Sequence, residues 1–138
     1  DLSKFAEEVN RMVAKKEELL KSGKNVGVYT RRKLISMEGD AKKAALERSV
    51  KISDAVQSLV VKLNITPAFV VAKGGITSSD IGTKALRVKR ALVLGQIQPG
   101  IPVWETDAQS KFPGIPYVIF PGNVGEVETL KEAVSILI

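Results

Sequence analysis

The stretch Val70-Val71-Ala72-Lys73-Gly74-Gly75-Ile76-Thr77-Ser78-Ser79-Asp80 decides the fold of this 138-residue chain. Its first part belongs to an apolar run, residues 68–72, that predicts a buried strand. Two glycines break the run, and Thr77 followed three residues later by Asp80 is the pattern of a capping box at the start of a helix. The stretch therefore predicts a strand, a glycine turn and a helix in succession.

A glycine turn between a strand and a helix is suited to binding anions. Glycines let backbone N–H groups approach a ligand with no Cβ in the way, and the amides at a helix N-terminus carry a partial positive charge. Every α/β protein also needs plain connections of this kind, so the local pattern leaves a purely structural role open. The turn at Gly74 and Gly75 is nevertheless the first candidate for a phosphate site.

Length and composition suit one globular domain with a single core. The chain is 44% apolar and 26% charged, and no apolar run approaches the roughly 20 residues of a membrane helix. It contains neither Cys nor His, which excludes disulfides, thiolate and Ser-His-Asp catalysis and the usual transition-metal sites. Neither a signal peptide nor an initiating Met is present, so we expect a piece of a longer protein.

The net charge of +6 is spread along the chain in short groups, such as residues 31–33 and 87–90. Only four Phe, two Tyr and one Trp are available for stacking, and no helix-turn-helix, RNA-recognition or zinc-finger pattern is evident. We interpret the charge as solvated surface, with a phosphorylated small ligand a better use for any excess than nucleic acid.

Apolar periodicity predicts amphipathic helices over residues 3–21 and 44–64. Residues 25–30, which lie between them, are predicted as a short buried strand. Because ligands collect beyond the C-terminal ends of strands in open α/β sheets, Tyr29-Thr30-Arg31 is a second candidate wall of a site. Residues 33–43 are predicted as a mobile loop that could serve as a lid.

The central stretch leads into a short predicted helix that reaches Leu86 and then into a buried strand at residues 91–94. We expect this strand to pair in parallel with residues 68–72 through a right-handed crossover. A proline-rich region then contains an extended piece at Val103-Trp104 and a strand at residues 117–120. Trp104 either stacks on a base or, more commonly for such a residue, anchors the loop to the core. The fold class is therefore α/β, a single-domain, three-layer sandwich with a mostly parallel sheet flanked by helices.

A second strand–glycine–helix turn occurs at Pro121-Gly122-Asn123-Val124-Gly125-Glu126. Asn123 is a plausible N-cap and Glu126 the N3 residue of the last helix. Two such turns at one edge of a sheet would form a two-sided cradle for a nucleotide. Neither GxxxxGK[ST] nor GxGxxG is present. The apolar stripe of the last helix comprises Val127, Leu130, Val134 and Leu137.

Four motifs follow one another in a fixed order. They are Lys73-Gly74-Gly75-Ile76-Thr77-Ser78-Ser79-Asp80-Ile81, Leu92-Val93-Leu94-Gly95, Pro99-Gly100-Ile101-Pro102-Val103-Trp104 and Phe120-Pro121-Gly122-Asn123-Val124-Gly125. Together they resemble the C-terminal nucleotide-binding domain of the four-carbon acid sugar kinase family, a former domain of unknown function whose members were sometimes labelled Hrp-dependent type III effectors. The resemblance runs from about Leu20 to the C-terminus.

The resemblance implies a two-domain cytoplasmic kinase that uses ATP and Mg²⁺ to phosphorylate four-carbon sugar acids such as threonate, erythronate or their 3-oxo forms. Residues 1–138 would be the nucleotide-binding domain. The N-terminal domain, which binds most of the sugar acid, would be absent, as would an early strand with a Ser-containing turn, so the fragment alone would be inactive. The resemblance leaves the catalytic residue unknown and assigns no metal ligand to this chain. It assigns the ATP contacts to Gly74, Gly75, Ile76, Thr77, Gly122 and Asn123.

Two positions depart from the family pattern. Many members have an acidic residue where this chain has Ile76, so any metal or ribose role of that carboxylate is unassigned. Many also carry Thr-Ser-Arg after the early strand, where this chain reads Thr30-Arg31-Arg32.

The expected partners are ATP or ADP, a sugar acid and further copies of the chain, with no nucleic acid and no membrane. The alternatives are a protein-interaction module without catalysis, a nucleic-acid-binding protein and a related nucleotide-dependent enzyme.

Overall fold

The structure is a computed structural model that describes residues 2–30 and 41–138. The chain divides into two compact units, Asp1–Ile65 and Thr66–Ile138. No helix in the described residues is both long enough and apolar enough to cross a membrane.

The first unit contains two long helices, α1 (Leu2–Lys21) and α2 (Ala41–Val61), which confirms both helices predicted for this part of the chain. Helix α1 is followed by a turn at Ser22-Gly23. Gly23 has a φ of 79°, and the N–H groups of Gly23 and Lys24 donate to carbonyls of the last helical turn. The backbone N–H of Asn64, beyond α2, donates 2.8 Å to Glu17 of α1. Among the described residues of this unit, the buried apolar ones are Val9, Leu59, Val60 and Leu63.

Residues 25–30 form no strand, so the buried strand predicted there is wrong. A β-strand needs a neighbouring strand that pairs with its backbone. In the described part of the chain all strand pairing lies within the second unit, so residues 25–30 have no such neighbour. Tyr29 is 91% exposed. Tyr29 and Thr30, proposed as a second wall of the site, therefore lie on an irregular segment. Arg31 and most of the predicted loop at residues 33–43 lie outside the described residues.

The elements of the second unit are β1 (Val70–Lys73), α3 (Gly75–Asp80), a π-helical turn (Ile81–Ala85), β2 (Leu92–Gln98), β3 (Ile101–Glu105), β4 (Pro116–Phe120) and α4 (Thr129–Leu137). The four strands form one sheet in the order β1-β4-β3-β2. Strand β1 pairs in parallel with β4, whereas β3 is antiparallel to both β4 and β2. The α/β class is confirmed, but the sheet is mixed and not mostly parallel. The tight turn at Pro99-Gly100, where Gly100 has a φ of 79°, joins β2 to β3 as a hairpin and forces the antiparallel pairing.

Strands β1 and β2 lie at opposite edges of the sheet, so the parallel crossover predicted between them is wrong. Strand β4, the last in the chain, is inserted next to β1 and takes the position that the prediction gave to β2. Because β2 is an edge strand, its first residues are also not buried as predicted. The side chains of Leu92, Val93 and Leu94 are 63%, 64% and 52% exposed.

The core of the second unit lies on the two faces of β3 and β4. One face buries Ile101, Val103, Val118 and Phe120, and Leu137 of α4 packs against them. On the other face Trp104 and Tyr117 are cross-strand neighbours with ring centroids 6.1 Å apart, which favours an anchoring role for Trp104. Helix α3 contacts both β1 and β4. The three-layer sandwich stays a prediction.

Candidate functional site

The first glycine turn begins where β1 ends. Gly74 has a φ of 106° and a ψ of 145°, a backbone conformation that residues with a Cβ rarely adopt, and it is the N-cap of α3. No side chain caps the helix, which starts at Gly75. The capping box predicted at Thr77 and Asp80 is therefore wrong, because Gly74 reverses the chain sharply enough for the helix to start earlier. Gly75, Ile76 and Thr77 form its first turn.

Ser78 holds this turn in place from inside the protein. Its backbone N–H donates to the Gly74 carbonyl at 2.9 Å, and its buried hydroxyl donates to the Gly75 carbonyl at 3.2 Å. The carbonyls of both glycines are thus engaged by one residue. The amides of the first turn have no partner within a helix, so they are the groups available to a ligand.

The second glycine turn lies directly beside the first. Parallel pairing sets Lys73 opposite Phe120 at the ends of β1 and β4, and the Gly74 N–H donates to the Phe120 carbonyl at 2.8 Å. A Cβ added to Gly122 would lie 3.7 Å from the Cα of Gly74. The structure therefore brings Gly74 and Gly122 together at the C-terminal edge of two adjacent parallel strands. Asn123 follows Gly122 on the exposed side of this turn.

The chain after Gly122 forms a longer loop than the sequence predicted. Helix α4 begins at Thr129, with Glu128 as its N-cap, so the roles predicted for Asn123 as N-cap and Glu126 as N3 are wrong. The loop is closed instead by Gly125, whose φ is 91°, and by a 2.7 Å hydrogen bond from the Glu126 N–H to the Thr129 hydroxyl. Val127, which was predicted to lie on the apolar stripe of the helix, precedes it and is 94% exposed.

One basic side chain spans the two turns. The ammonium of Lys73 donates to the Pro121 carbonyl at 3.3 Å and lies 4.3 Å from the centroid of the Phe120 ring. Ile76, on the first turn, is 79% exposed. The carboxylate of Asp80 pairs with Lys84 at 3.1 Å. Within the described residues no group of three or more acidic, His or Cys side chains could hold a metal ion.

Sequence reasoning assigned no role to Tyr117 or Ser78, which lie behind the turns. The hydroxyl of Tyr117, on β4, donates to the Ser78 carbonyl at 2.5 Å, and the tyrosine is fully buried. Burial raises the pKa of Tyr117 well above its usual value, and a hydrogen bond from the Gly82 backbone only partly opposes that shift. The one signal in the sequence was that Tyr117 is a polar residue in an otherwise apolar strand.

A groove of about 390 Å³ lies at the other end of the sheet. It is lined by residues 90–92 and 105–108, at the C-terminal end of β3, which pairs with the start of β4. The groove is therefore separate from the glycine turns, which follow the ends of β1 and β4. The carboxylate oxygen Oδ1 of Asp107 is buried there without a hydrogen-bond partner.

An α/β unit with two glycine turns at one sheet edge is the kind of framework on which nucleotide-binding domains are built. Residues 1–130 match the model of the nucleotide-binding C-terminal domain family, and the chain belongs to that family. The family expected from the sequence motifs is thereby confirmed. No curated protein matches the chain.

Two solved structures of a domain of unknown function (DUF1537) from Bordetella bronchiseptica are similar to this chain. Both are 20% identical to it; they cover 91% and 94% of its length with TM-scores of 0.59 and 0.57. The matched parts make up 30% and 36% of those chains, so this chain spans about a third of their length. That protein was crystallised as a domain-swapped dimer with bound citrate. At this identity the likeness shows the fold alone.

Proposed function

We propose that this chain is the ATP-binding domain of a kinase that phosphorylates four-carbon sugar acids of the threonate, erythronate or 3-oxo-tetronate type. The observation that carries the proposal is the contact between the turns at Gly74 and Gly122. Ligands of open α/β sheets bind beyond the C-terminal ends of strands, and both turns lie at that edge of the parallel pair. Membership of the nucleotide-binding family supports the same conclusion.

The phosphates of ATP would lie against the backbone of the first turn. Gly75 is exposed, and apart from its chain neighbours and its own helix backbone no atom lies within 4 Å of the position where its Cβ would be, so a phosphate oxygen can approach the main chain there. Phosphate binding by backbone amides at a helix start needs no charged side chain. The proposed contacts are Gly74, Gly75, Ile76 and Thr77 on one turn and Gly122 with Asn123 on the other.

Lys73 is the proposed charge partner of the phosphates. Its ammonium contacts the Pro121 carbonyl and the Phe120 ring, and within the described residues it forms no salt bridge with a carboxylate. Its charge is therefore available to an anion. Phosphoryl transfer depends mainly on positioning and on stabilising charge, and this chain would supply both through amides and one lysine. Mg²⁺ would enter with ATP, bound to its phosphates, and would neutralise charge that develops there.

The sugar acid would bind mainly to an N-terminal domain that is not part of this chain. The related chains are about three times as long, which leaves room for such a domain. We propose that the present chain binds ATP but does not turn it over, and that the complete enzyme acts in the cytoplasm. The domain-swapped dimer of the related protein supports a homo-oligomer here as well.

A protein-interaction module is the second candidate. It is favoured by one observation, the exposed apolar side chains of Leu92, Val93 and Leu94 on the edge strand β2. Such a module would use this edge and would not need the glycine turns. Nucleotide titration therefore separates the two candidates.

The direct test is calorimetric titration of the 138-residue chain with Mg–ATP. We expect saturable binding, and we expect Gly75→Val to weaken it by about tenfold or more because the new side chain occupies the phosphate position. Gly27→Val is a matched control, since Gly27 is likewise free of neighbours within 4 Å but lies in the other unit. Binding that Gly75→Val leaves unchanged would remove this turn from the site, and a chain that binds no nucleotide would contradict the proposal.

A further inference from the structure

The helix that follows the first glycine turn changes type after Asp80, close to the Ser78 carbonyl that accepts a hydrogen bond from Tyr117. Residues Gly75–Asp80 are α-helical, and Ile81–Ala85 form a π-helical turn. In a regular α-helix the Gly82 N–H would donate to the Ser78 carbonyl. Here the Tyr117 hydroxyl donates to that carbonyl, which also accepts from the Ile81 N–H. A side chain that enters the hydrogen-bond ladder of a helix is a recognised cause of such an irregularity.

The lack of a side chain at Gly82 leaves room for the Tyr117 ring beside the helix. A Cβ at Gly82 would lie 3.1 Å from a ring carbon of Tyr117 and 3.6 Å from its hydroxyl oxygen, closer to the ring than most real Cβ contacts. A side chain at this residue would force the tyrosine ring to shift by a few tenths of an ångström. Tyr117 itself is fixed, since it is fully buried on β4 and packs beside Trp104.

Ser78, which Tyr117 contacts, is itself hydrogen-bonded to the glycine turn. Ser78 donates through its N–H to the Gly74 carbonyl and through its hydroxyl to the Gly75 carbonyl. A continuous series of hydrogen bonds therefore joins the central strand β4 to the two glycines. A carbonyl held inward turns the amide of the same peptide unit outward, because the peptide group is planar and trans.

We propose that Tyr117 is a positioning residue for nucleotide binding: acting through Ser78, its hydroxyl sets the orientation of the Gly74-Gly75 peptide units whose amides face the phosphates. The inference rests on the proposed function and adds to it a residue that touches no ligand. It also gives the π-helical turn a role, since such turns are frequent at functional sites.

The test compares Tyr117→Phe with Thr106→Val in the 138-residue chain. Thr106 is the matched control because its buried hydroxyl is likewise bonded to the backbone at the opposite end of the sheet: it donates to the Phe112 carbonyl and accepts from the Ile115 N–H. Both variants lose one buried hydroxyl and should lose stability. Only Tyr117→Phe should weaken Mg–ATP binding, by about fivefold, the effect of one hydrogen bond.

A second measurement separates this inference from the proposed function. Without nucleotide, amide NMR spectra of Tyr117→Phe should show shifted resonances for Gly74, Gly75 and Ile76, which Thr106→Val leaves in place. If the wild-type chain binds no nucleotide, the proposed function fails and these spectra still report on the positioning role. Unmoved resonances, or an equal loss of binding in both variants, would overturn it. If Tyr117→Phe does not fold, Ser78→Ala breaks the same series of bonds, and it should shift Gly75 and weaken binding.

Discussion

The backbone N–H of Gly74 donates a 2.8 Å hydrogen bond to the carbonyl of Phe120, which continues the pairing of β1 and β4 by one residue beyond the end of β1. Both chains leave the sheet immediately afterwards through glycine turns. Two segments 48 residues apart in sequence thus meet at one sheet edge, where Lys73 also reaches the Pro121 carbonyl. The candidate site depends on this pairing more than on any one side chain.

Two glycines near the site should respond in opposite ways to substitution. Gly125 has a φ of 91°, and its Cβ would lie 2.8 Å from the side chain of Thr129, so Gly125→Ala should cost about 1–3 kcal/mol of stability. Gly75→Ala meets no neighbour and replaces glycine in a first helical turn, so it should be neutral or stabilise by up to about 1 kcal/mol. Urea unfolding measures both, and equal losses would refute the assigned geometry.

Replacing Lys73 by Met should weaken Mg–ATP binding and reduce its dependence on salt, because the variant loses a charge near the phosphates. Stability should fall by no more than about 1 kcal/mol, the value of an exposed cation–π contact. Lys111→Met is the control, since Lys111 also lies over a phenylalanine ring, Phe112, at the opposite end of the sheet. Titration at two salt concentrations is the measurement, and an identical effect of both variants would exclude a specific role for Lys73.

Arg87 occupies a backbone position suited to glycine. Its φ is 56° at the end of the π-helical turn, where the Val88 N–H returns to the Gly82 carbonyl. Arg87→Gly should therefore stabilise the protein by up to about 1 kcal/mol, whereas Arg87→Ala, which keeps the strained φ, should not. Thermal unfolding compares the two. If both variants are more stable than the wild type, the gain comes from removing the arginine charge and not from relieving the backbone conformation.

Tyr117 should make stability sensitive to alkaline pH. Its pKa in the folded protein is raised by burial, while in the unfolded chain it is about 10. A raised pKa contributes stability that is complete below the unfolded pKa and is lost as pH rises above it. The free energy of unfolding should therefore decline above about pH 10. Tyr117→Phe should show a shallower decline over this range, and parallel curves would indicate that the phenol is not desolvated.

The local elements of this fold were largely predictable from the sequence, and their pairing was not. Periodicity located α1 and α2, and glycine placement located both turns. The partner of β1 could not be predicted, because the choice between β2 and β4 depends on long-range packing that no local pattern reports. The same limit explains why Leu92 was wrongly predicted to be buried. It begins an apolar run that is typical of a buried strand, but the strand lies at the edge of the sheet.

Helix starts were mispredicted for a related reason. Both expected caps relied on polar side chains, at Thr77 and Asn123, whereas the backbone conformation at Gly74 and Gly125 decides where the chain turns. Within the site, the contact between Tyr117 and Ser78 joins residues 39 positions apart, so it too needed the three-dimensional structure.

The most direct test of the central claim is an amide NMR titration of the 138-residue chain with Mg–ATP. If the two turns form one nucleotide site, the resonances of Gly75, Ile76 and Thr77 on the first turn and of Gly122 and Asn123 on the second should shift together, with one shared affinity. Shifts confined to one turn, or located instead in the groove around Thr106, would contradict the account.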